Sequence, residues 1–128
     1  MLSQTAIYAL RAVGFIAGSD PTRPILSSHL SEQLGIPQNY LSKIMHRLVQ
    51  AGFLKSKRGT RGGFVLARSA SKITIKDIIV LFMNIDQFEQ CFLGNVKCDG
   101  SCGMHAQWKP IMSEFKSFIN KNTIDKLF

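Results

Sequence analysis

Cys91, Cys98, Cys102 and His105 all stand in one stretch, CFLGNVKCDGSCGMH. They are the only cysteines of the 128-residue chain and one of its three histidines. Three thiolates and an imidazole form a four-coordinate donor set. Zinc accepts such a set in tetrahedral geometry. Iron–sulfur clusters are also held by thiolates, with histidine as an occasional substitute. The loop lacks the paired C-x2-C knuckles of structural zinc, and Gly94, Gly100 and Gly103 suit a chain wrapping a larger inorganic core. The same spacing also admits a loop without metal, whose cysteines are small buried hydrophobes or reactive thiols. An odd cysteine number disfavours a purely structural disulfide set. No export signal is legible near the start, which points to the cytoplasm, where thiols stay reduced.

A second group of residues is set apart by charge. The net charge is +8, which favours nucleic acid or an anionic surface as partner. No carboxylate lies between Glu32 and Asp77, whereas Lys43, Arg47, Lys55, Lys57, Arg58, Arg61, Arg68, Lys72 and Lys76 all do. A merely solvated face is served equally well by mixed signs. A single-signed interval therefore points to a polyanion.

The elements that must position these residues follow from periodicity and punctuation. The spacing predicts a helix over 3–17, with Ile7, Leu10, Val13 and Gly14 on one side. Gly18, Pro21 and Pro24 break it. A short helix is expected over about 27–34, capped by Ser27 or Ser28 and ended by Gly35. In the next segment Leu41, Ile44, Met45 and Leu48 make an apolar stripe at helical spacing, and Gly52 stops it. The opposite face offers Gln38, Asn39, Ser42, Lys43, His46 and Arg47. Two short helices joined by a glycine-containing turn, the second carrying amides and bases, fit a helix-turn-helix whose second helix enters the major groove. A solvated helix face is the plainer alternative.

Two apolar-ended strands then flank KSKRGTRGG, a glycine turn bearing Lys55, Lys57, Arg58 and Arg61. Placed directly after a reading helix, this hairpin fits a wing that contacts phosphates or probes the minor groove. A plain basic hairpin is the competing reading. Thr74 and Asp77 have capping-box spacing at the head of another helix, whose apolar face is Ile75, Ile78, Ile79 and Phe82. Finally Trp108, Ile111, Met112, Phe115, Phe118 and Ile119 share one stripe. A DNA-binding module of this size already has its own core, so the stripe is expected to be a dimer interface. Pro110 is tolerated near a helix start, which puts that start close to Trp108. The expected fold is mainly α: a winged helix-turn-helix with a small β-hairpin wing over 1–72, then the cysteine loop and a long C-terminal dimerisation helix over 73–128.

The chain resembles the Rrf-two (Rrf2) family of bacterial transcription regulators, of the IscR/NsrR-like kind. The likeness is carried by YALRA, by LSEQLGIPQNYLSKIMHRLVQAGFLKSKRGTRGGFVLA, by ITIKDII and by CGMHAQW. It implies a homodimer that binds palindromic double-stranded promoter DNA, with a cysteine loop holding an iron–sulfur cluster that tunes operator affinity. By position it places Asn39, Tyr40, Ser42 and Lys43 on the DNA and Arg58 in the minor groove. It makes Cys91, Cys98 and Cys102 the thiolate ligands, with His105 as the fourth ligand. Two departures stand out. The cysteine gaps are six and three residues rather than the more even gaps of the IscR type. Ile7 occupies the position from which the NsrR type draws an acidic ligand, which favours a 2Fe-2S over a 4Fe-4S cluster.

The implied function is a cluster-dependent transcriptional regulator, a repressor or activator sensing redox state, iron–sulfur status or nitric oxide. The alternatives are a winged-helix DNA binder with structural zinc and no sensing, or a basic iron–sulfur electron-transfer protein. An enzyme is not expected. His29, His46 and His105 fall on different elements, and there is no phosphate loop, nucleophile elbow or pair of carboxylates. No apolar run reaches the roughly 18 residues of a membrane span, so no membrane partner is expected.

Overall fold

A computed structural model describes residues 2–89, 91–94 and 100–128. Cys98 therefore lies outside the described residues. Five helices and one hairpin follow in the order α1 (Gln4–Ala17), α2 (Ser27–Leu34), α3 (Gln38–Gln50), β1 (Leu54–Lys57), β2 (Gly63–Leu66), α4 (Ile75–Ile79) and α5 (His105–Lys121). Short 3-10 turns lie at Ala70–Lys72, Ile85–Glu89 and Ile124–Lys126.

The helix-turn-helix forms as its punctuation requires. Gly35 takes φ 65° after α2, a left-handed conformation that suits glycine. Arg11 on α1 donates from Nη2 to the Leu34 carbonyl at 2.8 Å, placing a cation at the negative end of α2. α3 ends in a Schellman turn, with the Phe53 amide on the Leu48 carbonyl and the Gly52 amide on the Val49 carbonyl, each at 3.0 Å. Leu41, Ile44, Met45 and Leu48 are all buried, as the stripe predicts.

β1 and β2 pair antiparallel from Leu54↔Leu66 to Lys57↔Gly63. A third segment joins them. Ile25, in the connection after α1, exchanges two backbone hydrogen bonds with Phe64 at 3.0 and 2.8 Å. That bridge corrects the expected serine cap. Its extended chain continues through Leu26, so Leu26 takes the N-cap position and Ser27 is already helical.

Most of the buried apolar residues form one cluster, from Ala6 on α1 through Leu41 and Leu48 on α3 to Ile78, Ile119 and Ile124. The core therefore runs without a break across residue 72. Thr74 and Asp77 make the expected reciprocal capping box on α4, each bond 3.0 Å. The segment after α5 is stitched to the lead-in of α4: Ile75 donates to the Asn122 carbonyl at 3.0 Å and Ile124 to the Ile73 carbonyl at 2.9 Å. On α1, Leu10, Val13 and Gly14 are buried as expected, but Ile7 is exposed, and Ala6 and Ala9 take the inner face instead.

α5 departs from expectation twice. It starts at His105, because the amides of Gln107 and Trp108 both find the Met104 carbonyl, at 3.1 and 2.8 Å. Pro110 thus sits inside the helix. The carbonyl it deprives of a donor belongs to the exposed Ala106, where water can replace it. The apolar stripe also divides. Met112 and Ile119 are buried in the chain's own core, while Ile111 and Phe118 are 52% and 50% exposed. Trp108 and Phe115 lie between, half-buried.

Candidate nucleic-acid interface and cysteine loop

On α3 the side chains of Gln38, Asn39, Tyr40, Ser42, Lys43, His46 and Arg47 are all exposed on the face away from the core. Gln38 donates weakly to Ser27 at 3.4 Å, linking the first turns of the two helices. Neither α2 nor α3 has a side-chain cap, in contrast to α1, where Ser3 accepts from Ala6 at 3.1 Å. Their first-turn amides are thus left for water or another acceptor, and phosphate oxygens suit that position.

Tyr40 is placed differently from its neighbours. Its hydroxyl is hydrogen-bonded to Thr5 on α1, and its ring meets Tyr8 edge-to-face with centroids 5.6 Å apart. Thr5 and Tyr8 are residues that sequence reasoning missed. Tyr8 lies inside the quoted YALRA, but nothing in the pattern reveals a partner far along the chain on another helix.

The wing presents Lys55, Lys57, Arg58 and Arg61 to solvent. Its turn is shaped by glycine. A Cβ at Gly62 would stand 2.4 Å from the Lys57 carbonyl oxygen, and one at Gly63 would stand 2.5 Å from the backbone of Ile25. None of these four bases, nor Lys43 or Arg47, forms an ion pair with a described carboxylate. The one salt bridge among the described residues joins Arg23 to Asp20 at 3.8 Å. Asp20 accepts from the Thr22 hydroxyl and amide, which hold its carboxyl below the usual range. Arg68 is employed structurally, its guanidinium lying 4.7 Å from the Phe53 ring centroid. Outward-facing positive charge without a described counter-charge is therefore present on α3 and the wing, and also at Lys72, Lys109, Lys121 and Lys126.

In the cysteine loop, Cys91 is buried, and Cys102 and His105 are half-buried. Each described sulfur accepts a backbone amide: Leu93 to Cys91 Sγ at 3.4 Å and Met104 to Cys102 Sγ at 3.3 Å. Hydrogen bonds to sulfur are one of the levers that tune a thiolate-bound centre. His105 is the first residue of α5, and its amide returns to the Cys102 carbonyl at 3.1 Å. Gly100 turns beside it at φ 81°, where a Cβ would lie 3.8 Å from the imidazole. Phe92 packs edge-to-face on Trp108 at 5.1 Å, which ties the loop to α5. Among the described residues no three metal-binding side chains meet. The donor set and the amides on both described sulfurs fit a thiolate-held centre.

A family model described as an iron-dependent transcriptional regulator, Rrf2, matches residues 2–128. The chain belongs to the Rrf2 family. It is 36% identical to a putative HTH-type transcriptional regulator of Aquifex aeolicus, over 99% of this chain and 90% of that one. It is 30% identical to the HTH-type transcriptional regulator IscR of Klebsiella pneumoniae, over 98% of this chain and 78% of that one. Among solved structures it resembles CymR, the global cysteine regulator of B. subtilis, with TM-score 0.81 and 25% identity over 99% of this chain and 95% of that one. T. potens IscR shares the fold, with TM-score 0.75 and 23% identity over 97% and 82% of the two chains.

This Rrf2 protein is thus a DNA-binding transcriptional regulator with a winged helix-turn-helix and a C-terminal helix, and it belongs to a family of regulators rather than enzymes. Among the described residues no helix is long and apolar enough to cross a membrane.

Proposed function

We propose that this Rrf2 regulator binds promoter DNA as a cytoplasmic homodimer and that the loop at 91–105 holds an iron–sulfur cluster whose state sets operator affinity. The observation that carries the reading is contiguity: the cysteine loop runs directly into α5, whose first residue is His105. The opposite end of α5 is sewn to α4, within the same core as α3. Each subunit would place α3 in the major groove, with Gln38, Asn39, Ser42, Lys43 and Arg47 towards bases and phosphates. Lys57, Arg58 and Arg61 of the wing would take the flanking phosphates, and Arg58 the minor groove. In this division of labour residues 1–72 hold the DNA, and 73–128 carry the sensor and the subunit contact.

The ligands would be Cys91, Cys98, Cys102 and His105. With Ile7 unable to ligate from α1, a 2Fe-2S cluster is favoured over 4Fe-4S. Such a cluster supplies a centre sensitive to oxidants, nitric oxide and iron supply. The protein's own part is mechanical. Cys91 is buried while Cys102 and His105 stand at the head of α5, so a centre held by all of them would fix where that helix begins. Ile111 and Phe118, one heptad apart and exposed, would meet the same residues of a partner, with Trp108 and Phe115 flanking them. A change at the loop then reaches the separation of the two reading helices, which must sit about 34 Å apart. Swinging occupancy from 1:99 to 99:1 needs about 5.5 kcal/mol of differential binding.

Protein purified without oxygen is expected to be coloured, to contain iron and sulfide, and to change its promoter affinity at fixed salt when the cluster is removed. Colourless protein containing zinc and binding DNA unchanged would sink the sensing half of the reading. A Cys98→Ser variant that keeps the full absorption spectrum would remove that residue from the ligand set.

A further inference from the structure

The hydrogen bond and ring contact that hold Tyr40 border a groove of about 470 Å3 between the first turns of α1 and α3. It is lined by Gln4, Tyr8, Pro37, Asn39, Tyr40 and Lys43. Its chemistry is selective. It offers two carboxamides, one ammonium group and two phenol rings, with no carboxylate. The groove also lies between two helix N-termini, whose dipoles add positive potential. Along α3 it is continuous with Asn39 and Lys43, residues of the reading face.

We infer that this groove is a seat for the DNA backbone, and that α1 is part of the DNA-binding surface. Gln4, the Tyr8 hydroxyl and Lys43 hold a phosphate beside the bases read by α3, and the deoxyribose lies against the tyrosine rings. The Thr5–Tyr40–Tyr8 contact then has a definite task. It locks α3 to the clamp, so that the phosphate contact fixes the register in which Asn39 and Ser42 meet base edges. Phosphate contacts position a protein on the duplex, and base contacts specify the sequence. Tyr40 acts here as a positioning residue held from behind by α1. This inference rests on α3 being the reading helix.

The test uses the full-length protein and a labelled duplex that the wild type itself selects from a random-sequence library. Combining Gln4→Ala with Tyr8→Phe removes two neutral donors and keeps the ring against Tyr40. About a tenfold loss of affinity is expected for selected and scrambled duplexes alike, because backbone contacts carry no sequence. The salt slope should stay unchanged in that variant, whereas Lys43→Gln should lower it by about 0.9 per subunit. Replacing single backbone phosphates by uncharged methylphosphonates then locates the seat. One replacement should weaken the wild type and have no further effect on the double variant. This comparison is made between folded molecules and does not depend on how stable the variant is. The inference is overturned if the double variant binds within about twofold of wild type, or if every methylphosphonate weakens both proteins equally. Should the wild type select no duplex at all, the reading of α3 fails first.

Discussion

At the residue scale, the wing shows how backbone contact dictates side-chain choice. Gly62 is buried against the carbonyls of Lys57 and Gly59, and Gly63 against Ile25. These glycines let the hairpin close tightly enough to hold Lys57, Arg58 and Arg61 together at its tip. Gly62→Ala would drive a methyl group into backbone oxygen, so the turn must open. Its DNA affinity is expected to fall about tenfold in a fluorescence titration, with roughly 1–3 kcal/mol lost from stability. Gly18→Ala is the matched control. A Cβ there meets nothing closer than 3.5 Å, at an ordinary helical φ of −82°, so both measurements should stay at wild-type values. The sequence already marks these glycines as a turn. It does not reveal that Gly63 is required by a strand-like segment almost forty residues earlier, because that closeness exists only after the chain folds back.

At the element scale, helix ends are capped unevenly, and α5 too begins without a side-chain cap. α1 and α4 have side-chain caps, whereas α2 and α3 leave their first amides unclaimed by side chains. The capping box on α4 matters because this five-residue helix is too short to stand by itself. Thr74→Ala is expected to cost about 1 kcal/mol, read as a melting midpoint lower by about 3–5 °C. Affinity for DNA measured well below that midpoint should not change. The capping box was legible because its signal is local, two residue types at fixed spacing. The missing serine cap on α2 was not legible, since it is the bridge between Ile25 and Phe64 that sets where the helix begins. The split of the α5 stripe was hidden for a related reason. Periodicity says that a face is apolar, but not how many neighbours share it. Met112 and Ile119 satisfy the chain's own core, and Ile111 and Phe118 remain outside it.

At the scale of the whole molecule, half-exposed Ile111 and Phe118 sit one heptad apart on a helix firmly joined to the DNA-binding core. In the proposed dimer, carboxylates at these positions would face each other across the seam, repel and lose the apolar burial. Ile111→Glu with Phe118→Glu is therefore expected to yield folded monomers in sedimentation velocity. A half-site duplex should still bind, while affinity for a full palindrome collapses to the half-site value. A double variant that stays dimeric would place the subunit contact elsewhere.

The sequence alone determined the helix-turn-helix, the basic wing and the concentration of thiols. Each of these is written in short-range terms: apolar spacing, glycine and proline punctuation, and charge free of counter-charge. Tertiary structure decided which face of α5 is spent on the core, why Ile7 looks outward, and that Thr5 and Tyr8 of α1 brace Tyr40 of α3. Those outcomes depend on which distant surfaces compete for the same contact, and only the folded chain brings the competitors together.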